Sequence, residues 1–192
     1  VHVIHNPLSD DFQPRPKEFN THHPRILQVR TQENKNLVRV AAALKGIPCH
    51  LRIIGKLSSD QEKALHENGI EYSNASGLSN AAMVEEYVHC DLLVFASTYE
   101  GFGMPIIEAQ AVGRPVVTSR LAPMEEVAGG AACLVDPLDV ASIRAGILQI
   151  IENQEYRAGL VQRGFENVKR FSPSRIAGQY AALYEKIYSE LS

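Results

Sequence analysis

The chain has 192 residues, 45% of them hydrophobic and 21% charged, with a formal net charge of −3. That is long enough for one well-buried core and makes a single domain the default. With no Lys/Arg-rich run and no interleaved aromatic platform the sequence lacks the footprint of a nucleic-acid binder, and no apolar stretch approaches the length of a bilayer span.

After an extended, proline-punctuated opening over residues 1–24, short apolar runs alternate with segments of helical period. Ile26 to Val29 reads as a strand, and Leu37, Val40, Ala41 and Leu44 recur at helical spacing behind Asn36, an expected N-cap, with Gly46 as the stop. Leu51 to Gly55 is a second strand, followed by a polar helix from about Ser59 to Asn68 that Gly69 closes. A short strand at Ile70 to Tyr72 leads to the loop Ser76-Gly77-Leu78, and Ser79 caps a helix that buries Met83, Val84 and Tyr87. Asp91 to Phe95 is the next strand, Pro105 opens the next helix, and Pro115 to Thr118 is another strand. A one-turn helix near Met124 to Val127 and a strand from Ala132 to Val135 complete the sheet, and the remainder is helical. In the last helix Ile176, Tyr180, Leu183, Tyr184 and Ile187 share one face, which packs either on the core or on something outside the chain.

Strands alternating with helices imply right-handed βαβ units and a parallel sheet covered on both faces, a three-layer α/β/α arrangement of the Rossmann type. Ligands bind such sheets at the carboxyl ends of the strands. At one such end the chain reads Glu-Gly-Phe-Gly-Met-Pro-Ile-Ile-Glu from Glu100 to Glu108. Gly101 and Gly103 would let main-chain amides approach a ligand, and Pro105 places Glu108 in the first turn of a helix whose N-terminus suits phosphate. On a helix, eight residues would hold the two carboxylates roughly 80° apart around the axis and about 12 Å apart along it, too far for an acid/base dyad. Two separate hydroxyl-binding roles fit better, since a carboxylate can accept two hydrogen bonds from a diol. The plainer reading has Glu108 complementing the helix dipole and Glu100 solvated in a loop.

Cys49, Cys90 and Cys133 are odd in number and far apart, so they read as free thiols in a reducing compartment. His22-His23 has no further ligand at a metal-binding interval, Asp10-Asp11 reads as a solvated turn, and no Gly-x-Ser-x-Gly elbow occurs. The chain starts at Val1 without an initiator methionine or signal peptide, as expected of a fragment or a processed chain.

The stretch from Leu92 to Ala109 resembles the signature of retaining GT-B glycosyltransferases of family four, the group 1 transferases. The likeness continues through Gly113-Arg114-Pro115-Val116-Val117-Thr118-Ser119, Glu126-Val127-Ala128-Gly129-Gly130-Ala131-Ala132, Val135-Asp136-Pro137 and Phe171-Ser172. It begins at Val3-Ile4-His5-Asn6-Pro7, similar to the interdomain strand of those enzymes. The resemblance implies one half of a GT-B fold: a C-terminal domain over residues 1–192 that binds a nucleotide sugar. Residues 1–24 would be an interdomain segment, and helix 172–192 would face an N-terminal acceptor domain that this chain lacks.

By that resemblance Glu100 and Lys35 form the catalytic set. Glu100 would orient hexose hydroxyls, and Lys35 would neutralise the diphosphate leaving group. Glu108 would hold the ribose hydroxyls. The backbone of Gly101, Phe102, Gly103, Met104 and Pro105 would face sugar and diphosphate, and that of Gly77 and Leu78 the base. Where the family commonly has glycine after the first strand, this chain has Arg30, which would either supply phosphate charge or crowd the site. The implied parent is a hexosyltransferase acting with retention, with no metal and no cofactor, in cell-surface polysaccharide or glycolipid synthesis. It would be cytoplasmic, with peripheral association at the inner face of the membrane. The alternative is a non-catalytic nucleotide- or glycan-binding module of the same fold.

Overall fold

A computed structural model describes residues 2–191. Six strands, β1 (Arg25–Val29), β2 (His50–Ile54), β3 (Tyr72–Ala75), β4 (Leu92–Phe95), β5 (Val116–Ser119) and β6 (Cys133–Val135), form one parallel sheet in the order β3-β2-β1-β4-β5-β6. Each strand is followed by a helix: α1 (Leu37–Leu44), α2 (Ser59–Glu67), α3 (Asn80–His89), α4 (Met104–Ala111), α5 (Met124–Ala128) and α6 (Val140–Glu152). Two more, α7 (Gln154–Val168) and α8 (Pro173–Leu191), complete the chain. The winding runs outward in both directions from β1 and β4, which pair at Ile26↔Leu92 and Leu27↔Leu93. Their carboxyl ends diverge there, the topological switch point at which doubly wound sheets form a crevice.

The alternation of side chains along each strand divides the core between the two sheet faces. Ile26, Leu92 and Val94 pack with α1 and α6, whereas Leu27, Leu93 and Phe95 pack with α4 and Tyr87 of α3. Both faces are covered, so the strands are continuous apolar runs, as a parallel sheet requires.

Three expectations are corrected and one is met only in part. The third strand begins at Tyr72 rather than Ile70, because the amides of Gly69 and Ile70 turn back to close α2, donating to His66 and Leu65 carbonyls at 3.0 Å each. Asn36 stands at the N-cap of α1, as expected, but at φ +63° its side chain makes no capping bond, and its Nδ2 donates instead to the carbonyls of Ala96 (2.9 Å) and Pro137 (2.7 Å). Helix α4 opens at Met104 behind Gly103, which leaves Glu108 beyond the first turn. Residues Val3 to Pro7 form no strand.

The opening segment is nonetheless fastened to the domain. The amide of Leu8 donates to the Phe171 carbonyl at 2.8 Å, and Nη2 of buried Arg114 reaches the carbonyls of Arg15 (2.9 Å) and Val88 (2.7 Å). Buried Asp91 accepts from Lys17 Nζ (2.5 Å) and the amides of Asn20 (3.1 Å) and Arg25 (2.7 Å). On α8, Ile176 is buried but Tyr180, Tyr184 and Ile187 are exposed, so the aromatic face does not pack into this core. The three cysteines are buried and free. Among the described residues no helix is long and apolar enough to cross a membrane.

Candidate functional site

Beyond β1 the backbone of Arg30 takes φ +67°, the left-handed region that glycine enters most easily, and its amide donates to the Ile54 carbonyl at 2.6 Å. The chain then forms a single 3-10 turn, Glu33–Lys35, locked to its surroundings by side-chain amides and backbone. Gln28 Nε2 donates to the Lys35 carbonyl (2.9 Å), Asn34 Nδ2 to the Tyr99 carbonyl (2.8 Å), and the Thr98 amide to the Asn34 carbonyl (2.8 Å). These bonds tie the loop after β1 to the loop after β4.

The fastening brings Lys35 and Glu100 together. Lys35 is only 5% exposed, and its Nζ hydrogen-bonds to Glu100 Oε1 while lying 4.9 Å from the centroid of the Phe95 ring. A lysine so buried requires a compensating charge, and Glu100 supplies it. Glu100 is therefore not the solvated loop residue that the plainer reading of the sequence allowed.

From Glu100 the loop passes through Gly101 and Phe102 to Gly103. Gly103 has φ +114°, a backbone conformation that side chains strain to adopt, and a Cβ there would stand 3.0 Å from the tip of Ile106, at Cδ1. Pro105 lies in the first turn, where its missing N–H costs nothing. The Phe102 ring is braced by His5 (centroids 5.7 Å apart) and edge-on by Phe171 (5.8 Å), and His5 also pairs with Glu126 at 3.5 Å. His5 was read only as part of a segment. Nothing in sequence spacing connects it with Phe102, nearly a hundred positions away.

Glu108, on α4, accepts a hydrogen bond at Oε2 from the hydroxyl of fully buried Tyr87 at 2.5 Å. Burial pushes the Glu108 carboxyl above the usual range, opposed by the Tyr87 hydrogen bond and the nearby Arg30 charge. Tyr87 was placed in the core as an apolar contact of α3. The available signal was that a buried tyrosine hydroxyl needs a partner.

Beside these pairs, a cavity of about 630 Å³ opens at the carboxyl ends of β1, β2 and β3, walled in part by Arg30, Gly55, Lys56, Gly77, Leu78 and Met83. Its size suits a small organic ligand. Arg30, Gly77 and Leu78 line it, whereas Lys35, Glu100 and Glu108 are not in its wall. The expected site residues are therefore divided, with Arg30, Gly77 and Leu78 in the cavity wall and Lys35, Glu100 and Glu108 in two fixed polar pairs, Lys35 with Glu100 and Tyr87 with Glu108. Among the described residues no group of three or more His, Cys, Asp or Glu stands together so as to hold a metal ion.

A doubly wound parallel sheet with its crevice at the β1/β4 switch point defines a Rossmann-like α/β/α domain. The family profile described as glycosyl transferases group 1 matches residues 9–167, and the chain belongs to that family. It is 31% identical to MMP alpha-(1->4)-mannosyltransferase of Mycolicibacterium hassiacum, over 100% of this chain and 50% of that protein. It is 42% identical to O-antigen chain mannosyltransferase B of Escherichia coli, over 45% of this chain and 23% of that protein. Among solved structures it resembles S. aureus TarM in complex with fondaparinux, alpha-GlcNAc-glycerol and UDP. The TM-score is 0.78 and the identity 21%, over 95% of this chain and 39% of that one. The chain thus spans half the length or less of these relatives.

Proposed function

We propose that the chain is the donor-binding domain of a glycosyltransferase that moves a hexose from a nucleoside-diphosphate sugar to a hydroxyl acceptor with retention at the anomeric carbon. The observation that carries this reading is the buried Lys35–Glu100 pair at the switch point. A lysine held there is placed to take up the charge that grows on a diphosphate as its bond to the anomeric carbon breaks, and a carboxylate beside it to orient sugar hydroxyls. The new bond runs from the acceptor oxygen to that carbon, and the acceptor proton leaves with the diphosphate. In this reading charge is met by Lys35, Arg30 and backbone amides, with no metal required.

Arg30, Gly77 and Leu78 would surround the nucleotide in the cavity, and Glu108 would hold the ribose. The acceptor would come from a further domain covering the exposed face of α8. Mannose is the first sugar to test, because two of the relatives are mannosyltransferases by name. A role in cell-surface polysaccharide or glycolipid synthesis, at the inner face of the membrane, goes with this reading. The binding-module alternative rests on Arg30 alone, and its backbone takes the left-handed conformation open to glycine.

The test is sugar transfer by the full-length protein with UDP-, GDP- and ADP-hexoses, in the wild type and in Glu100→Gln. One donor should be turned over, and the variant should lose at least a hundredfold in rate. Binding of a donor with no turnover against any hydroxyl acceptor would favour the module. Turnover abolished by a chelator and restored only by a divalent ion would overturn the metal-free mechanism.

A further inference from the structure

Tyr87 is the one fully buried tyrosine among the described residues, and its single polar side-chain atom is spent on Glu108. Its ring is held edge-on by Phe12, with centroids 5.5 Å apart and planes at 80°, so the hydroxyl has a defined position. The carboxylate it meets stands on α4, across the core from α3, and keeps partial exposure. A glutamate carboxylate otherwise turns freely about its last torsion. With Oε2 tied to the phenol that rotation is stopped, and among the described residues Oε1 takes no hydrogen bond. The other group that bears on Glu108 is Arg30, on the cavity side at the end of β1.

We propose that Tyr87 is a positioning residue for nucleotide recognition: its hydroxyl holds one oxygen of Glu108 so that the other meets the ribose hydroxyls of a nucleoside diphosphate. The proposal rests on the reading of Glu108 as the ribose ligand. It also alters that reading, because the carboxylate no longer grips a diol with two equivalent, unoccupied oxygens. It offers one oriented acceptor, and the energy of orienting it is supplied by the fold rather than by the ligand. The consequence is selectivity for ribose over deoxyribose that depends on a residue which touches neither.

The experiment is calorimetry on the full-length protein with UDP, GDP and ADP, followed by the 2′,3′-dideoxy forms of those that bind. The wild type should prefer the ribonucleotide. Tyr87→Phe, with its fold checked by circular dichroism, should lose roughly 3- to 10-fold of that preference while its affinity for the deoxy forms stays the same. In a Glu108→Gln background the same substitution should cost nothing further. An undiminished ribose preference in folded Tyr87→Phe overturns the role of Tyr87. Absence of ribose preference in the wild type overturns instead the reading of Glu108. If Tyr87→Phe does not fold, the wild type carries the test by NMR. The Tyr87 hydroxyl proton should shift when the ribonucleotide binds and stay in place with the deoxy forms, and an equal response to both overturns the proposal.

Discussion

Lys35 and Glu100 neutralise each other across the divergence of β1 and β4, each nearly buried, each carried by a loop bonded to the other's loop. In the proposed reaction an arriving diphosphate would draw Lys35 into a new partnership and release Glu100 toward the sugar. The site would then exchange one buried charge pairing for another, without exposing an isolated charge at any stage.

Removing one member of this pair strands the other. Lys35→Ala and Glu100→Leu should each destabilise the domain by about 3–5 kcal/mol. Lys35→Met combined with Glu100→Leu should recover most of that loss in urea unfolding, with no transfer activity. Equal loss in single and double variants would show that the pair contributes nothing to stability.

Glu108 should display the opposite balance. Its carboxyl is raised above its unfolded value by burial, so the folded state binds the proton more readily than the unfolded one. The stability cost is therefore present at neutral pH and is relieved as pH falls through the folded value. Glu108→Gln should stabilise the protein by about 1 kcal/mol at neutral pH, measured by thermal unfolding. Nucleotide affinity of the wild type should decline on acidification from a higher pH than an ordinary glutamate would give, and the variant should lack that decline.

Arg30→Gly separates backbone from charge. Glycine relieves a left-handed residue, so stability should hold or rise by about 1 kcal/mol. Affinity for the diphosphate should fall about tenfold if the guanidinium is a phosphate ligand. Unchanged or tighter binding in calorimetry would mean that the side chain crowds the cavity.

The thiols should be silent in the native protein. Burial pushes Cys90 up to about 12 and Cys49 up to about 11, and it raises Cys133 as well. At pH 8 a thiol-reactive chromophore should label none of the three in the folded state and all three in denaturant. Rapid labelling of one without unfolding would locate a segment that opens.

The sheet was legible because its strands are short apolar runs set off by helix-period segments, and the switch-point motif because Glu100 to Glu108 is contiguous. What stayed hidden are relations across sequence distance. Tyr87 with Glu108, His5 with Phe102 and Asn36 with Pro137 each join residues from different elements, and periodicity carries no record of such pairs. Asn36 shows the cost of a local rule: its residue type favoured a capping bond, but two unpaired carbonyls of the tertiary structure were the stronger claim on its amide.

Asp91 gathers three donors from Lys17, Asn20 and Arg25. The segment it fastens has neither helix nor strand, yet it is held from both sides of any break that falls between Leu8 and Lys17. A protease that nicked the chain at the exposed Asp10-Asp11 turn would cut one peptide bond and release nothing. The two pieces would migrate together under native conditions and separate only in denaturant.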